Sequence, residues 1–449
     1  MPAPATGPRL QPTHTLLSVL GTSFGIAITV GNTIGAGILR TPGEVAALLP
    51  NRVAFIGLWA LGGVFVLAAA TSVSELGAMI PRSGGHFVFA REALGDYAGF
   101  VIGWSDWIST CASSAAVAIV AGEYLGDLVA PLHGHELPLA CGVLVGFTAV
   151  QQPGVRWGDL VQRWTTLAKA LGFILLVGAC ILFTGRAAEA VAPAMPQGFA
   201  LFSASVLALQ AVIYTYDGWA GPIYFSEELR DPGRRVPRAM FGGVLSVAGV
   251  YVAVAVMLAY VLPLSAMAGN KLALGAAAKL VWADHGETVL RVVTLVSMLA
   301  AINAFALMAS RILFAMSRDR LLPAWTSGVN RGGSPVSALW VSAAVSVAFL
   351  ASRTFENVIA VAAFFFMTNY IVDFVSVFQL RRRQPDRERP YRAWGFPWTT
   401  GLCLLVSAAF LIAAVVGDTR NSLVAVMLLL VSYPVFRVMK RVVQGKEIG

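Results

Sequence analysis

The chain alternates between long apolar runs and short polar segments. A helix that crosses a lipid bilayer needs about 20 mostly apolar residues, because each residue advances the helix by roughly 1.5 Å. Only helices and closed barrels satisfy their backbone groups in lipid, and these runs lack the alternation of barrel strands. The pattern predicts an all-α polytopic membrane protein with twelve transmembrane helices. Their predicted positions are residues 15–49, 54–79, 96–125, 137–152, 158–184, 200–229, 237–262, 288–317, 335–351, 354–380, 396–416 and 421–440.

Composition points the same way. Hydrophobic residues make up 57% of the 449 residues and charged residues only 12%, whereas soluble domains carry about 25% charged residues. There is too little polar side chain to cover the surfaces of two or three soluble domains. A soluble enzyme and a disordered chain are therefore excluded.

Lysine and arginine are distributed unequally between the predicted loops. The loops that share a side with both termini hold most of them, including Arg234-Arg235 and the run Arg381-Arg382-Arg383. Because basic loops stay on the cytoplasmic side, both termini are predicted to be cytoplasmic, with the protein in the cell membrane. The basic loops are then expected to face anionic lipid headgroups, and the net charge of +9 gives no reason to expect a nucleic-acid partner.

Two predicted helices are interrupted near their middle. The first contains GNTIGAG, residues 31–37, and each glycine in a helix interior costs about 0.8–1 kcal/mol relative to alanine. The sixth contains YTYDGWAGP, residues 214–222, with an acid, two glycines and a proline that removes a backbone donor. Close helix packing would explain one such segment. Two at matching positions favour unwound backbone, which is tolerated at this depth only where it lines a cavity.

The breaks lie five helices apart, in helix 1 and helix 6. Two five-helix units, each led by a broken helix, are typical of inverted-repeat transporters. Because five is odd, the second unit enters from the opposite face, which brings the breaks together at mid-depth. The predicted organisation is a cytoplasmic tail over 1–14, repeats over 15–185 and 200–380, two further helices over 395–441 and a cytoplasmic tail over 442–449.

The two breaks would present opposite backbone charges. The half-helix that follows Gly37 exposes unpaired N–H groups and the positive end of its dipole, which suit a carboxylate. The half-helix ends near Thr33 and Asp217 expose carbonyl groups, which suit an ammonium group. An α-amino acid fits both, and other residues of the pocket must then read its side chain.

Five segments resemble, in order and over nearly the whole chain, the amino acid–polyamine–organocation (APC) superfamily. They are GNTIGAGILRTP, PRSGGHFVFARE, YTYDGWAGPIYFSEELRDPGRRVPRAM, SRILFAMSRDRLLP and RPYRAWGFPW. The YDGW and SEELRDP elements are most similar to its L-type amino acid transporter branch. The resemblance implies a LeuT-like fold, a 5+5 inverted repeat with broken helices 1 and 6 plus two C-terminal helices, and alternating access for amino acids.

The resemblance also implies roles for individual residues. The segment Ile34 to Gly37 resembles the carboxylate-binding loop, and Thr33 and Asp217 resemble positions whose carbonyls bind the amino group. Tyr214 falls where the family has an aromatic gate over the substrate. The expected substrate-binding residues are Thr33, Ile34, Gly35, Ala36, Gly37, Tyr214, Asp217 and Gly218.

The chain departs from the family at two positions of the expected pocket. The family often has serine at the position of Ala36, and animal L-type members have asparagine at the position of Ala220, so the preferred side chain stays open. Animal members bind a heavy chain through a cysteine between helices 3 and 4. Residues 126–137 contain no cysteine, so no disulfide-linked heavy chain is expected.

Ionisable residues inside spans are costly and are functional candidates. Lys169, in helix 5, is the first coupling candidate. It resembles a lysine that places its ammonium where sodium-coupled relatives bind the ion, and it is expected to support the first break through its carbonyls. Proton coupling and a buried pair with an acid are the alternatives. Asp106, in helix 3, is the second coupling candidate, with plain helix–helix hydrogen bonding as the alternative. Glu227 and Glu228 are expected to pair with nearby arginines.

The sequence therefore favours a secondary active transporter of L-amino acids, independent of sodium, acting as an exchanger or a proton symporter. One alternative is a polyamine or cationic amino acid carrier, which would need more pocket acids than Asp217 and Asp106. Another is a transport-inactive amino acid sensor. No HExxH motif, P-loop or cluster of histidine with aspartate appears along the spans, so no enzyme, cofactor or metal site is expected.

Overall fold

Helices make up most of the computed structural model, which describes residues 15–35, 37–185, 194–270, 272–351 and 355–445. Within these ranges, the β-type backbone pairing is a single isolated parallel bridge between Leu20 and Leu229. The α-helices are α1 (Thr22–Thr33), α2 (Gly37–Leu48), α3 (Arg52–Met79), α4 (His86–Leu94), α5 (Asp96–Leu128), α6 (Glu136–Gln151), α7 (Val155–Thr184), α8 (Phe199–Thr215), α9 (Pro232–Val261), α10 (Leu264–Met267), α11 (Ala273–Trp282), α12 (Gly286–Arg318), α13 (Val336–Ala351), α14 (Phe355–Arg383), α15 (Trp398–Gly417) and α16 (Thr419–Gly445).

Several of these helices are long and apolar enough to cross a membrane. Within the described ranges there are eight such spans: α3, α5, α7, α9, the run α11–α12, α14, α15 and α16. Helices α1 and α2 together supply a ninth span that is bent by 53°. Helices α6, α8 and α13 are also apolar but shorter. The expectation of an all-α, multi-span membrane protein is confirmed.

Every predicted transmembrane segment contains a helix, and most helix ends lie within a few residues of the predicted ones. The sixth segment differs most, because α8 ends at Thr215, where the second break begins. In the first segment, α1 begins at Thr22 and the chain before it is extended. There the Leu20 amide donates to the carbonyl of Glu228 (2.9 Å), and the Arg230 amide donates to the carbonyl of Leu20 (3.2 Å). The pairing fixes the N-terminal segment beside the chain that comes after the second break.

Three short helices, α4, α10 and α11, were not predicted, because a search for runs of about 20 apolar residues passes over them. Helix α4 brings a polar side chain into the bundle. It begins after Gly84 and Gly85, whose φ angles of 131° and 65° turn the chain back after α3. This turn carries His86 into the protein interior, where it is 3% exposed.

Helix α1 lies at the centre of the bundle, against α7, α9 and α12. Small residues allow the close approach to α9. A Cβ on Gly25 would lie 2.4 Å from the Cβ of Ala239, and one on Gly243 would lie 2.5 Å from Thr29. Helices α15 and α16 pack at the edge and leave large apolar side chains exposed, as lipid-facing helices do.

Candidate functional site

Helix α1 ends where the sequence predicts the first break. Its last residue is Thr33, Ile34 has an extended backbone (φ −77°, ψ 99°), and α2 starts at Gly37. Ala36 lies outside the described residues. The break leaves the last carbonyls of α1 and the first amides of α2 without partners inside a helix.

Lys169 of α7 reaches the carbonyls of the first break. Its Nζ donates to the carbonyl of Gly31 (2.8 Å) and to that of Ile34. The side chain is fully buried, and within the described part of the chain its hydrogen-bond partners are these two carbonyls. The structure therefore places Lys169 beside the break, as expected from the sequence. Its role in coupling stays a prediction.

The second break comes after α8. Tyr216 and Asp217 continue as a turn, Gly218 has a φ of 100°, and a 3₁₀ turn runs over Gly221–Phe225. Gly218 is required here by space as well as by conformation, since a Cβ would lie 2.8 Å from Nδ2 of Asn32. That Nδ2 donates to the carbonyl of Gly218 (3.2 Å), which ties the two breaks together.

Further contacts join the breaks. The hydroxyls of Thr41 and Thr215 lie 2.7 Å apart, and a Cβ on Gly37 would lie 2.9 Å from Cγ2 and 3.3 Å from Cα of Thr215. Tyr251 Oη, from α9, lies within hydrogen-bonding distance of the carbonyls of Thr33 (2.8 Å) and Thr215 (3.0 Å). Because a hydroxyl has one hydrogen, it donates to one of them at a time.

A cavity of about 290 Å³ opens where the breaks meet. Five of the expected binding residues line it: Thr33, Gly35, Gly37, Tyr214 and Asp217. The other walls are mostly apolar, and Asp217 is the acidic side chain among the described lining residues. Those walls are formed by Asn32, Ser113, Ala116, Val117, Thr215, Met298, Ala301, Phe305, Ala362, Ala363 and Phe366.

Two expected binding residues stand apart from this cavity. Ile34 is fully buried in the core. Gly218 lines a smaller neighbouring cavity of about 40 Å³, which shares Asn32 and Asp217 with the larger one. The carboxylate of Asp217 is not free, because Tyr370 Oη donates to its Oδ1 (2.5 Å).

Asp106 lies away from the large cavity. It is fully buried, and its Oδ1 accepts a hydrogen bond from Tyr224 Oη (2.9 Å). Close to it, His86 Nδ1 lies 2.7 Å from Oδ2 of Asp373. The sequence search along the spans missed this cluster of histidine and aspartates, because His86 comes from a short helix between two spans.

Glu227 and Glu228 pair with arginines of α12, as predicted. Arg318 Nη1 lies 2.5 Å from Oε2 of Glu227. Arg311 holds Glu228 through two hydrogen bonds of 3.0 Å, and both side chains are at most 1% exposed.

Other polar residues at the breaks were missed. On α7, Gln162 Nε2 and Thr166 Oγ1 donate to the carbonyl of Ala27 (3.2 and 3.0 Å). They share one helix face with Lys169, because Thr166 comes four residues after Gln162 and Lys169 three residues after Thr166. These two residues, like Tyr251 and Tyr370, could have been found from the sequence as polar side chains within otherwise apolar runs.

The chain is similar to known proteins over most of its length. The family model described as "Amino acid permease" matches residues 20–433. The serine/threonine exchanger SteT of Bacillus subtilis is 26% identical over 94% of this chain and 97% of its own length. The mouse Asc-type amino acid transporter 1 is 27% identical over 93% of this chain and 80% of its own, and the mouse b(0,+)-type amino acid transporter 1 is 25% identical over 90% and 83%.

The family match covers both breaks and most of the helices described above. The L-type resemblance seen in the sequence agrees with the Asc-type and b(0,+)-type relatives. The chain therefore belongs to the amino acid permease family of the APC superfamily, whose members are multi-pass membrane transporters of amino acids rather than enzymes.

Proposed function

We propose that this transporter moves small neutral L-amino acids by alternating access, without sodium, as an exchanger or a proton symporter. One observation carries the proposal. The two broken helices touch each other, and both open onto one cavity of about 290 Å³. That volume is just below the usual range for ligand pockets, about 300–1,000 Å³, and so suits a small substrate.

The carboxylate of the substrate would bind at the start of α2. The first amides of this twelve-residue helix have no helical partner, and the helix dipole adds positive potential there. A Cβ at Gly35 would meet nothing within 4 Å, so an anion has room to approach the backbone.

The amino group of the substrate would bind between the ends of α1 and α8. The carbonyls of Thr33 and Thr215 share the single hydroxyl hydrogen of Tyr251, so one of them is open to another donor. Asp217, on the same cavity, adds negative charge that favours an ammonium group.

The substrate side chain would meet mainly apolar walls, with the hydroxyl of Ser113 among them. A small neutral side chain fits these walls, and two relatives are named as a serine/threonine exchanger and an Asc-type amino acid transporter. A polyamine or cationic carrier would need a further acid for its second positive charge, whereas Asp217, assigned here to the amino group, is the acid among the described lining residues.

The same proposal includes the predicted architecture. It comprises twelve transmembrane helices in a 5+5 inverted repeat, with repeats over 15–185 and 200–380 and two added helices over 395–441. The eight long spans, the bent pair and the three shorter apolar helices together supply that number. Both termini would be cytoplasmic, lipid would surround the bundle, and no disulfide-linked heavy chain would be needed.

An exchange assay tests the proposed function. Purified protein is placed in vesicles loaded with one unlabelled amino acid, at equal pH and without sodium, and uptake of a panel of labelled amino acids is measured. We expect uptake of small neutral amino acids such as serine, and little uptake of lysine or putrescine. Flat uptake for every amino acid would contradict the proposal, and preferred uptake of lysine would favour the cationic carrier.

Gly37→Val tests the carboxylate site. The new side chain would collide with Thr215 and separate the two breaks, so affinity for labelled substrate should fall by at least about tenfold, equivalent to ~1.4 kcal/mol. Gly57→Val is the matched control, because Gly57 is exposed and its Cβ would meet nothing within 4 Å. A folded Gly37→Val variant that keeps its affinity would refute the assignment.

A further inference from the structure

A second polar cluster lies beside the substrate cavity, and we call His86, Asp106 and Asp373 the acid–imidazole cluster. The three residues come from α4, α5 and α14. His86 Nδ1 and Asp373 Oδ2 are 2.7 Å apart, and Asp106 is the next carboxylate within electrostatic range of the imidazole. His86 is 3% exposed, and the two aspartates are fully buried.

Groups from every neighbouring element define the charge around His86. The 3₁₀ turn contributes Tyr224, α14 contributes Tyr370 as well as Asp373, and the second break contributes Asp217. Arg311 of α12 is paired with Glu228, and Asp319, the residue after α12, is paired with Arg82 and Arg91.

The acid–imidazole cluster therefore has more acids than bases. Within the described residues, no lysine or arginine lies within ion-pair distance of Asp106, Asp217 or Asp373. Burying two aspartates beside one imidazole leaves an excess negative charge even when the imidazole is protonated. In a low-dielectric interior such a charge is strongly disfavoured, and binding one more proton removes it.

The hydrogen bonds of the cluster are also incomplete. Oδ2 of Asp106 and Oδ1 of Asp373 are buried without a hydrogen-bond partner. Fully satisfied carboxylates would suit a purely structural network, whereas open oxygens leave positions for a proton.

The acid–imidazole cluster is connected to the substrate cavity. The neighbouring cavity of about 40 Å³ has His86 on its wall and shares Asn32, Asp217, Phe305 and Phe366 with the substrate cavity. Such a volume can hold water, which would carry a proton between the two. Tyr370 adds a direct contact, because it donates to Asp217 and packs edge-on against His86 with ring centres 5.6 Å apart.

We propose that the acid–imidazole cluster is a proton-binding site and that one proton crosses the membrane on it with each amino acid. The inference rests on the proposed function and selects proton symport from its two modes. The step is a transfer of one proton from water to the cluster while the cavity is open to one side, and its return to water on the other side. No other bond forms or breaks.

Tyr370 and Tyr224 would couple the proton to the substrate. Both rings contact His86, and each hydroxyl binds an aspartate: Asp217 at the second break for Tyr370, and Asp106 for Tyr224. Protonation of the cluster changes the electrostatic potential at the two tyrosine hydroxyls, and through Tyr370 at Asp217 in the second break. An amino group arriving at Asp217 changes it as well, so each binding event alters the affinity for the other.

The first experiment uses the wild-type protein. Vesicles containing the transporter and a pH-sensitive dye receive serine outside at equal pH, with valinomycin and potassium to clamp the potential. Serine uptake should carry protons inward, and an inside-negative potential should accelerate it. Above the titration range of the cluster, the rate should fall by up to about tenfold for each pH unit, because each unit changes proton activity tenfold.

The second experiment locates the site. Asp106→Asn keeps an oxygen for Tyr224 but removes the titratable group. His86→Gln and Asp373→Asn likewise replace a titratable side chain by a neutral amide. Asp96→Asn, at the exposed start of α5, is the control. Binding of labelled serine to purified protein shows that each variant is folded. We expect the three cluster variants to lose proton movement and the pH dependence of uptake, and the control to keep both.

The outcomes separate this inference from the proposed function. If wild-type vesicles exchange serine at equal pH but move no protons, the proton site is refuted and the transporter remains. If wild type moves protons and the folded cluster variants still do so, the site lies elsewhere. The wild-type dye measurement decides the first question even where a variant does not fold.

Discussion

At Gly31 and Ile34, the carbonyl oxygens at the end of α1 have no following helical turn to donate to them. One ammonium group, that of Lys169, serves both. A lysine can do so because its three N–H donors rotate on a flexible stem. The unwound segment is therefore held by a side chain of another helix, and its geometry depends on where α7 stands.

We expect Lys169→Ala to reduce the initial rate of amino acid uptake by about tenfold or more. The substitution leaves two buried carbonyls without donors, at a cost of roughly 1–3 kcal/mol each, and about 1.4 kcal/mol already corresponds to a tenfold change in rate. Lys279→Ala, which removes a half-exposed lysine paired with Glu287, is the control. Uptake is measured with and without sodium.

Two results would contradict this interpretation of Lys169. Unchanged uptake by Lys169→Ala would show that the break does not need the ammonium group. Uptake that returns only in sodium would contradict a purely supporting role, because it would show that the ammonium group takes the place of a bound ion in the transport cycle.

At the scale of helices, the sequence predicted those features that depend on nearby residues, namely the positions of the long helices and of the two breaks. Run length located the long helices, and glycines with a proline located both breaks. The nine-residue helix α4 was missed because it is too short to span. The bond between His86 and Asp373 was missed for a different reason. The two residues are 287 positions apart, so their contact depends on the packing of α4 against α14, which no local pattern encodes.

One buried ion pair joins α12 to the segment that comes after the second break. Arg311 binds Glu228 with two hydrogen bonds, and its guanidinium lies 5.3 Å from the centre of the Phe225 ring. The carbonyl of Glu228 also accepts from Leu20. The N-terminal segment, the second break and α12 therefore meet at this pair.

We expect Arg311→Leu to destabilise the folded protein by roughly 3–5 kcal/mol, because it leaves a buried carboxylate without its partner. The double variant Arg311→Leu/Glu228→Gln should recover part of the loss, since the charge is removed with its partner. Arg318→Ala, at the more exposed pair with Glu227, should cost less. The readout is the midpoint of thermal unfolding in detergent. Equal losses for Arg311→Leu and Arg318→Ala would contradict the argument.

At the scale of the whole molecule, the last two helices predict which side of the membrane each loop faces. Helices α15 and α16 are each long enough to span, and only Asp418 separates them. Because both are expected to cross the bilayer, the segment between α14 and α15 is predicted to lie on the same side as the end of α16. That segment comes directly after the run Arg381-Arg382-Arg383. Because loops rich in lysine and arginine stay in the cytoplasm, this segment is predicted to be cytoplasmic.

Cysteine labelling in intact cells tests this orientation. Thr419→Cys places a thiol at the exposed start of α16, and Glu388→Cys places one in the exposed arginine-rich loop. A membrane-impermeant maleimide should label Thr419→Cys from outside, and should label Glu388→Cys only after the membrane is made permeable. The unmodified chain is the control, because three of its four cysteines are buried and the fourth is partly buried. The reverse labelling pattern would place both termini outside, and the basic loops would then need an explanation other than topology.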